Sequence, residues 1–141
     1  MRRIASRDNP HYKALKRLCE SGRERRQSGR VLLDGMHLIE AYGRQVGIPE
    51  EILVSDSGAG RPEIAGYLAS ASAAGTITLL ADALFGELAM VDTPSGIMAV
   101  VARPPAARAL DYDADAVLLD GLQDPGNVGS ILRSAAAAGF R

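Results

Sequence analysis

The stretch GRVLLDGMHLIEAYG, residues 29–43, contains the pattern that decides the fold. Its apolar run VLL, residues 31–33, lies between two glycines and predicts a short buried strand. The apolar side chains from Met36 to Tyr42 then follow at helical spacing, and Gly43 predicts the end of that helix. A strand followed directly by a helix is the repeating unit of an α/β sheet.

The same alternation continues along most of the chain. Asp8-Asn9-Pro10 is a typical helix start, with a capping side chain before a proline at the first helical position. We therefore predict an α/β sheet with helices on both faces. The predicted strands cover residues 31–33, 52–54, 77–80 and 96–101, and the predicted helices cover residues 10–27 (as one helix or two), 36–42, 64–74 and 83–90.

A proline-rich segment separates this unit from a shorter one. Residues 103–114 combine adjacent prolines with small and polar side chains, which predicts an interdomain linker. Beyond it we predict a strand at residues 116–119 and a helix at residues 127–138, which Asn127 can cap. Because one strand and one helix cannot bury their own apolar surface, we expect residues 115–141 to be the opening of a larger domain.

Composition limits the classes of protein that this chain can belong to. Its 141 residues are 47% hydrophobic and 23% charged, which suits a folded core rather than a disordered chain. The sequence contains no apolar run of about 18 residues and no apolar stretch behind its charged N-terminus, so we expect neither a membrane span nor a secretory signal. Cys19 is the single cysteine, which excludes an internal disulfide and favours a cytoplasmic location.

Charge is distributed unevenly along the sequence. Residues 1–30 contain ten basic and three acidic side chains, whereas residues 31–141 contain six basic and fourteen acidic ones. A basic segment is typical of a polyanion ligand such as RNA, although a solvated helix would have the same composition. The candidate RNA-binding residues are Arg2, Arg3, Arg7, Lys13, Lys16, Arg17, Arg23, Arg25, Arg26 and Arg30.

The glycine-rich segment at residues 120–129 is the main candidate for chemistry. It matches neither a dinucleotide-binding fingerprint nor a phosphate-binding P-loop. In the helix that follows, Asn127 and Arg133 share the polar side and can orient an anionic or hydroxyl-bearing substrate, although Arg133 can equally be an ordinary exposed arginine. His11 and His37 lack partners at metal-ligand spacing, so we expect no metal site.

Four stretches of the sequence match one family in the expected order. The string VLLDGLQDPGNVGSILRSAAAAGF, residues 117–140, resembles the first signature motif of the SpoU/TrmH RNA ribose 2′-O-methyltransferases of the SPOUT class. The opening IASRDNPHYKALKRL resembles the start of such proteins. VLLDGMHLIEAY and DTPSGIMAVV resemble two motifs of the family's substrate-binding domain, with Asp34 where the family usually has Glu and Ser95 where it has Gln.

The resemblance implies a different function for each segment of the chain. A basic helical segment at residues 1–29 precedes a ribosomal-protein-like, mixed-sheet domain at residues 30–102 that binds rRNA or tRNA. A linker at residues 103–114 then leads to a truncated start of the knotted methyltransferase domain at residues 115–141. Asn127 and Arg133 match residues at the family's active site, where they would orient the ribose or stabilise its developing alkoxide.

The family's second and third motifs, which form the S-adenosylmethionine pocket and the usual homodimer contact, are absent from these 141 residues. The resemblance therefore implies that S-adenosylmethionine serves the longer enzyme and that this chain alone neither binds it nor methylates RNA. Two alternatives remain open: a non-catalytic, ribosomal-protein-like RNA-binding module, and a nucleotide-binding α/β fragment without RNA affinity.

Overall fold

A computed structural model describes residues 1–70, 75–89, 93–103 and 113–140, which divide into two compact units, Met1–Pro104 and Pro105–Arg141. The strands are β1 (Arg2–Ile4), β2 (Arg30–Asp34), β3 (Glu51–Ser55), β4 (Thr76–Leu80) and β5 (Ile97–Ala102). The helices are α1 (Pro10–Glu20), α2 (Gly22–Ser28), α3 (Met36–Gln45), α4 (Pro62–Ala69), α5 (Asp82–Leu88) and α6 (Pro125–Ala137), and a 3-10 turn covers Gly58–Gly60.

The first unit contains one five-stranded sheet in the order β1-β4-β3-β5-β2. Strand β4 pairs in parallel with β1 and β3, whereas β5 pairs antiparallel with β2 and β3. Each central strand shows alternation: Ile52 and Val54 pack on one face and Leu53 on the other, because successive side chains of a strand point to opposite sides. The mixed α/β fold is therefore confirmed.

Helices cover both faces of this sheet. On one face, α1 and α5 pack against β3, β4 and β5 through a cluster of buried side chains: Ile4, Tyr12, Leu15, Leu18, Leu53, Leu80, Leu84, Phe85, Leu88, Met98 and Val100. On the other face, α3 and α4 contribute to a second cluster: Met36, Ile39, Ile52, Val54, Ile64, Ile97, Ala99 and Val101. Burial on both faces explains why β3 and β5 have almost continuous apolar sequences.

The N-terminal segment is an integral part of the first unit rather than a purely helical arm. Residues 2–4 form β1, which the sequence analysis missed because the segment RRI has no apolar run. The basic helix predicted at residues 10–27 is two helices, since the Ser21 side chain accepts a hydrogen bond from the Glu24 amide and starts α2. Asn9 caps α1 as the sequence predicted.

Helix ends differ from the predictions by a few residues. Helix α3 continues past Gly43 to Gln45, because glycine in a helix lowers stability without ending it. Helix α4 ends at Ala69 with Ser70 as its C-cap, and residues 71–74 of its predicted range lie outside the described residues. Most of the predicted linker, residues 104–112, also lies outside them.

The second unit corrects two predictions. Residues 116–119 form no strand, because a strand needs a hydrogen-bonding neighbour and none of the described residues pairs with this segment. Helix α6 starts at Pro125 rather than at Asn127, because the Asp124 side chain accepts a hydrogen bond from the Gly126 amide at 2.8 Å and so caps the helix. Asn127 therefore lies inside the first turn.

Candidate functional site

The structure sorts the ten predicted RNA-binding cations into two groups. The side chains of seven of them form hydrogen bonds or ion pairs within the first unit, and the side chains of three form none with any residue that the structure describes. The bonded residues are Arg2, Arg3, Arg7, Lys13, Lys16, Arg25 and Arg30; the others are Arg17, Arg23 and Arg26. Much of the basic segment therefore neutralises carboxylates of its own unit.

Glu51 is the most buried of these carboxylates. Its Oε1 accepts hydrogen bonds from the Arg2 guanidinium at 3.0 Å and from the Thr78 hydroxyl, and its Oε2 lies 2.9 Å from His11 Nε2. A carboxylate that is only 9% exposed needs such partners to offset the loss of hydration. The cluster ties β1 and α1 to β3 and β4, so His11 is a partnered structural histidine.

The Glu87 carboxylate on α5 is, like that of Glu51, a point at which the N-terminal segment is held to the rest of the first unit. Its carboxylate accepts hydrogen bonds from the Arg7 guanidinium, from the Tyr12 hydroxyl at 3.0 Å and from Lys16 Nζ at 3.3 Å. The Arg7 hydrogen bond holds the pKa of Glu87 below its ordinary value. Burial, followed by the hydrogen bond to Glu87, raises the pKa of Tyr12 to about 12. Sequence spacing alone could not reveal this anchor.

Four arginines lie in the region where α1 meets α2. Arg25 Nη1 donates to the carbonyl oxygens of Leu18 and Cys19 at 3.0 and 2.6 Å, which satisfies the C-terminal end of α1. The guanidiniums of Arg25 and Arg26 lie near Gly22, so that a methyl group there would be 3.5 Å from Arg26 Nη1. We call Arg17, Arg23, Arg25 and Arg26 the α1–α2 corner.

The two positions that depart from the family pattern contact each other. Ser95 Oγ, two residues before β5, donates to Asp34 Oδ1 at the end of β2 at 2.6 Å. Here a short acid meets a short donor where the family usually has the longer Glu and Gln. Gly35 and Gly96, beside this pair, have φ angles of 97° and 85°, which glycine adopts far more easily than other residues.

A cleft of about 350 Å³ lies beside the Asp34–Ser95 pair. Arg61 and His37 line it, but the Arg61 guanidinium already donates to the Ser95 carbonyl at 2.7 Å, and Glu63 contributes a second carboxylate after Asp34. Acidic side chains therefore outnumber the arginine. In the described part of the chain, no group of three metal-ligating side chains is close enough to hold a metal ion.

In the second unit, the candidate catalytic residues lie on one helix. Arg133 is exposed and its Nη2 donates to Ser130 Oγ at 3.2 Å, one turn earlier. Asn127, a further turn back, is exposed and forms no hydrogen bond with the described residues through its side chain. The structure thus places both polar groups on α6 without a contact between them.

Two other candidates from the sequence are structural or exposed. Cys19, in the last turn of α1, packs against the core, and burial raises the pKa of its thiol to about 11, which disfavours the reactive thiolate. His37 is exposed.

No helix in the described ranges is both long enough and apolar enough to cross a membrane.

The mixed sheet with helices on both faces, followed by a capped helix that carries Asn127 and Arg133, agrees with the architecture that the SpoU/TrmH resemblance implies. Residues 9–99 match the family described as the MRM3-like substrate binding domain. The chain belongs to that family.

Relatives extend the similarity beyond residue 99. The chain is 32% identical over 140 residues to the 23S rRNA (guanosine(2553)-2′-O)-methyltransferase RlmP of Bacillus subtilis, which covers 99% of this chain and 52% of that protein. An uncharacterized tRNA/rRNA methyltransferase of Synechocystis is also 32% identical, over 96% of this chain and 49% of its own length. The chain therefore spans about half the length of the curated relatives it matches.

Solved structures agree with these sequence relatives. A crystal structure of an RNA 2′-O ribose methyltransferase has 31% identity and a TM-score of 0.75, covering 98% of this chain and 53% of that one. The SpoU methyltransferase AviRb from Streptomyces viridochromogenes, crystallised with S-adenosylmethionine, has 26% identity and a TM-score of 0.64, covering 94% and 51%.

Proposed function

We propose that this chain contains the RNA-binding part of an S-adenosylmethionine-dependent RNA ribose 2′-O-methyltransferase that acts on rRNA or tRNA in the cytoplasm. One observation carries the proposal: the similarity to RlmP covers 140 residues, beyond the substrate-binding domain and into the helix that presents Asn127 and Arg133. A binding domain alone would not require similarity in that second unit.

The second unit does not by itself fit the cofactor. Val117, Leu118, Leu119 and Leu122 are 41%, 94%, 37% and 39% exposed, and side chains this exposed do not enclose an adenosyl group. We therefore propose that the 141 residues bind RNA but not S-adenosylmethionine. By resemblance, the cofactor pocket and the homodimer contact belong to the rest of the enzyme.

Arg133 and Asn127 are proposed to act on the ribose. A guanidinium remains protonated in proteins, so Arg133 cannot serve as the base that removes the 2′-hydroxyl proton. Its charge and its fixed fork of donors can instead hold the neighbouring phosphate and stabilise negative charge on the attacking 2′-oxygen. The Asn127 amide can donate to and accept from a ribose hydroxyl. The 2′-hydroxyl as target explains a preference for RNA over DNA.

Methyl transfer by the longer enzyme tests these roles. We expect Arg133→Ala to lower the rate of labelled methyl transfer to rRNA by about 10²–10³-fold, while RNA affinity changes only a few-fold. Ser134→Ala, one residue further along α6, is the matched control and should retain the rate. Equal losses of rate and affinity would make Arg133 a binding residue only.

Binding by the 141-residue chain tests the other half of the proposal. Calorimetry should detect RNA binding and no heat from S-adenosylmethionine. Stoichiometric binding of S-adenosylmethionine by this chain would contradict the proposal that the cofactor pocket lies elsewhere in the enzyme. Absence of RNA binding would contradict the proposed RNA-binding role.

A further inference from the structure

We infer that the α1–α2 corner, through Arg17, Arg23 and Arg26, is the surface of the first unit that docks on the RNA phosphate backbone. This inference rests on the proposed function and deepens it, because it selects three contacts from ten candidate cations. The sequence alone does not show which of these ten side chains are paired with carboxylates.

The selection follows from where each positive charge is already used. Arg2, Arg3, Arg7, Lys13, Lys16 and Arg30 form ion pairs with carboxylates of the same unit. A paired cation would have to leave its carboxylate before it could neutralise a phosphate and release the counterions condensed on the RNA. Arg17, Arg23 and Arg26 are exposed and form no such pair with the described residues, so their charge is available.

The corner joins the last turn of α1 to the start of α2. Arg25 bonds to the last carbonyls of α1, which fixes α2 against α1. The Arg25 and Arg26 guanidiniums both lie close to Gly22, and Arg17 lies in the last turn of α1. Residues 17–26 contain four arginines against Glu20 and Glu24, and Asp34 lines a cleft with Arg25, so the corner retains a positive excess.

The clefts of the first unit are poorer candidates for phosphate. The cleft beside Asp34 has two carboxylates for one arginine, and that arginine donates to Ser95. The cleft of about 330 Å³ beneath α1 and α2 contains Glu24, Glu50 and Glu51 against Arg2 and Arg30, both of which are paired. A polyanion would therefore meet net positive charge at the corner rather than in either cleft.

The test compares salt dependence of RNA binding in two charge-matched variants. The corner variant is Arg17→Gln, Arg23→Gln and Arg26→Gln. The control variant is Arg3→Gln, Lys13→Gln and Arg44→Gln, which removes the same charge from exposed residues that pair with Asp56, Asp8 and Glu40. Affinity for a labelled RNA stem-loop is measured between about 50 and 200 mM salt, with a DNA hairpin of the same sequence as comparison.

We expect the corner variant to bind about tenfold more weakly at the lowest salt and to reduce the slope of log affinity against log salt by about 2. The control variant should retain the wild-type slope. A corner variant with lysines at the three positions should also retain it, because the charge remains, and thermal unfolding of each variant shows whether it is folded.

Equal effects in the corner and control variants, or no effect in either, would overturn the inference while leaving RNA binding intact. Tighter wild-type binding to the DNA hairpin than to the RNA stem-loop would overturn RNA as the partner of this surface. A wild-type chain without salt-dependent RNA binding would instead contradict the proposed function itself, so the two failures are distinguishable.

Discussion

The two units of this chain respond differently to the same kind of sequence. In the first unit, short apolar runs such as residues 52–54 become central strands, and Leu53 is completely buried. In the second, the equally apolar residues 116–119 form no strand, and Leu118 is 94% exposed. An apolar run thus encodes a capacity for pairing, whereas a strand forms only where a neighbour supplies the hydrogen bonds and a helix covers the face.

Truncation of a leucine in each unit provides the strongest test of this difference. Leu53→Ala should lower the free energy of unfolding by about 2–5 kcal/mol, because it opens a cavity in the buried sheet. Leu118→Ala should change it by no more than about 0.5 kcal/mol, since the side chain is in solvent. Urea unfolding followed by circular dichroism measures both. A large loss in Leu118→Ala would mean that the second unit is packed in solution, and the contrast would disappear.

Close packing within the first unit can be tested at its 3-10 turn. A methyl group on Gly58 would overlap the carbonyl oxygen of Gly96, whereas one on Gly60 has open space and an ordinary backbone conformation. Gly58→Ala should therefore destabilise the protein by about 1–3 kcal/mol. Gly60→Ala should be neutral or should stabilise it by up to about 1 kcal/mol. Thermal unfolding measures the stability of the two variants. Equal stabilities would show that the backbone of the turn shifts at little cost to accommodate the methyl group.

The smallest expected effect concerns Glu87, whose carboxylate holds the N-terminal segment against α5. Because the pKa of Glu87 is lower in the folded protein, its contribution to stability is complete above its ordinary value of 4.5 and is lost as pH falls through the folded pKa. We expect Glu87→Gln to have a lower unfolding temperature than wild type at neutral pH and a flatter decline in acid. The melting temperature measured from pH 7 to pH 3 tests this.

Glu63→Gln is the matched control, since Glu63 is exposed and makes no hydrogen bond with the described residues. Its melting temperature should follow that of wild type throughout. If the melting temperature of Glu87→Gln also follows that of wild type at every pH, the contacts of Arg7, Tyr12 and Lys16 with this carboxylate do not stabilise the fold.

Much of the first unit could be predicted from local patterns. Apolar runs located β2 to β5, and the capping signal at Asn9-Pro10 located the start of α1. Strand β1 could not be found in this way, because two of its three residues are arginines and the strand exists through its pairing with β4. Capping of α6 was assigned to Asn127 rather than Asp124, since either residue type can cap a helix.

The candidate site was less predictable than the fold. The charge count correctly identified a basic segment, but spacing along the chain could not show that Glu51 and Glu87 neutralise several of its members. Asp34 and Ser95 were visible only as departures from a family pattern until the fold brought their side chains together. Each of these contacts joins residues that are far apart in sequence.

The amino-acid sequence by itself determined the α/β class and the family, because periodicity and motifs are local properties. Tertiary structure alone decided which apolar runs become strands, which cations remain available to a ligand, and which side chain caps α6. The physical reason is that hydrogen bonds and ion pairs depend on distance in space, so their partners are set by the packing of the elements rather than by their order.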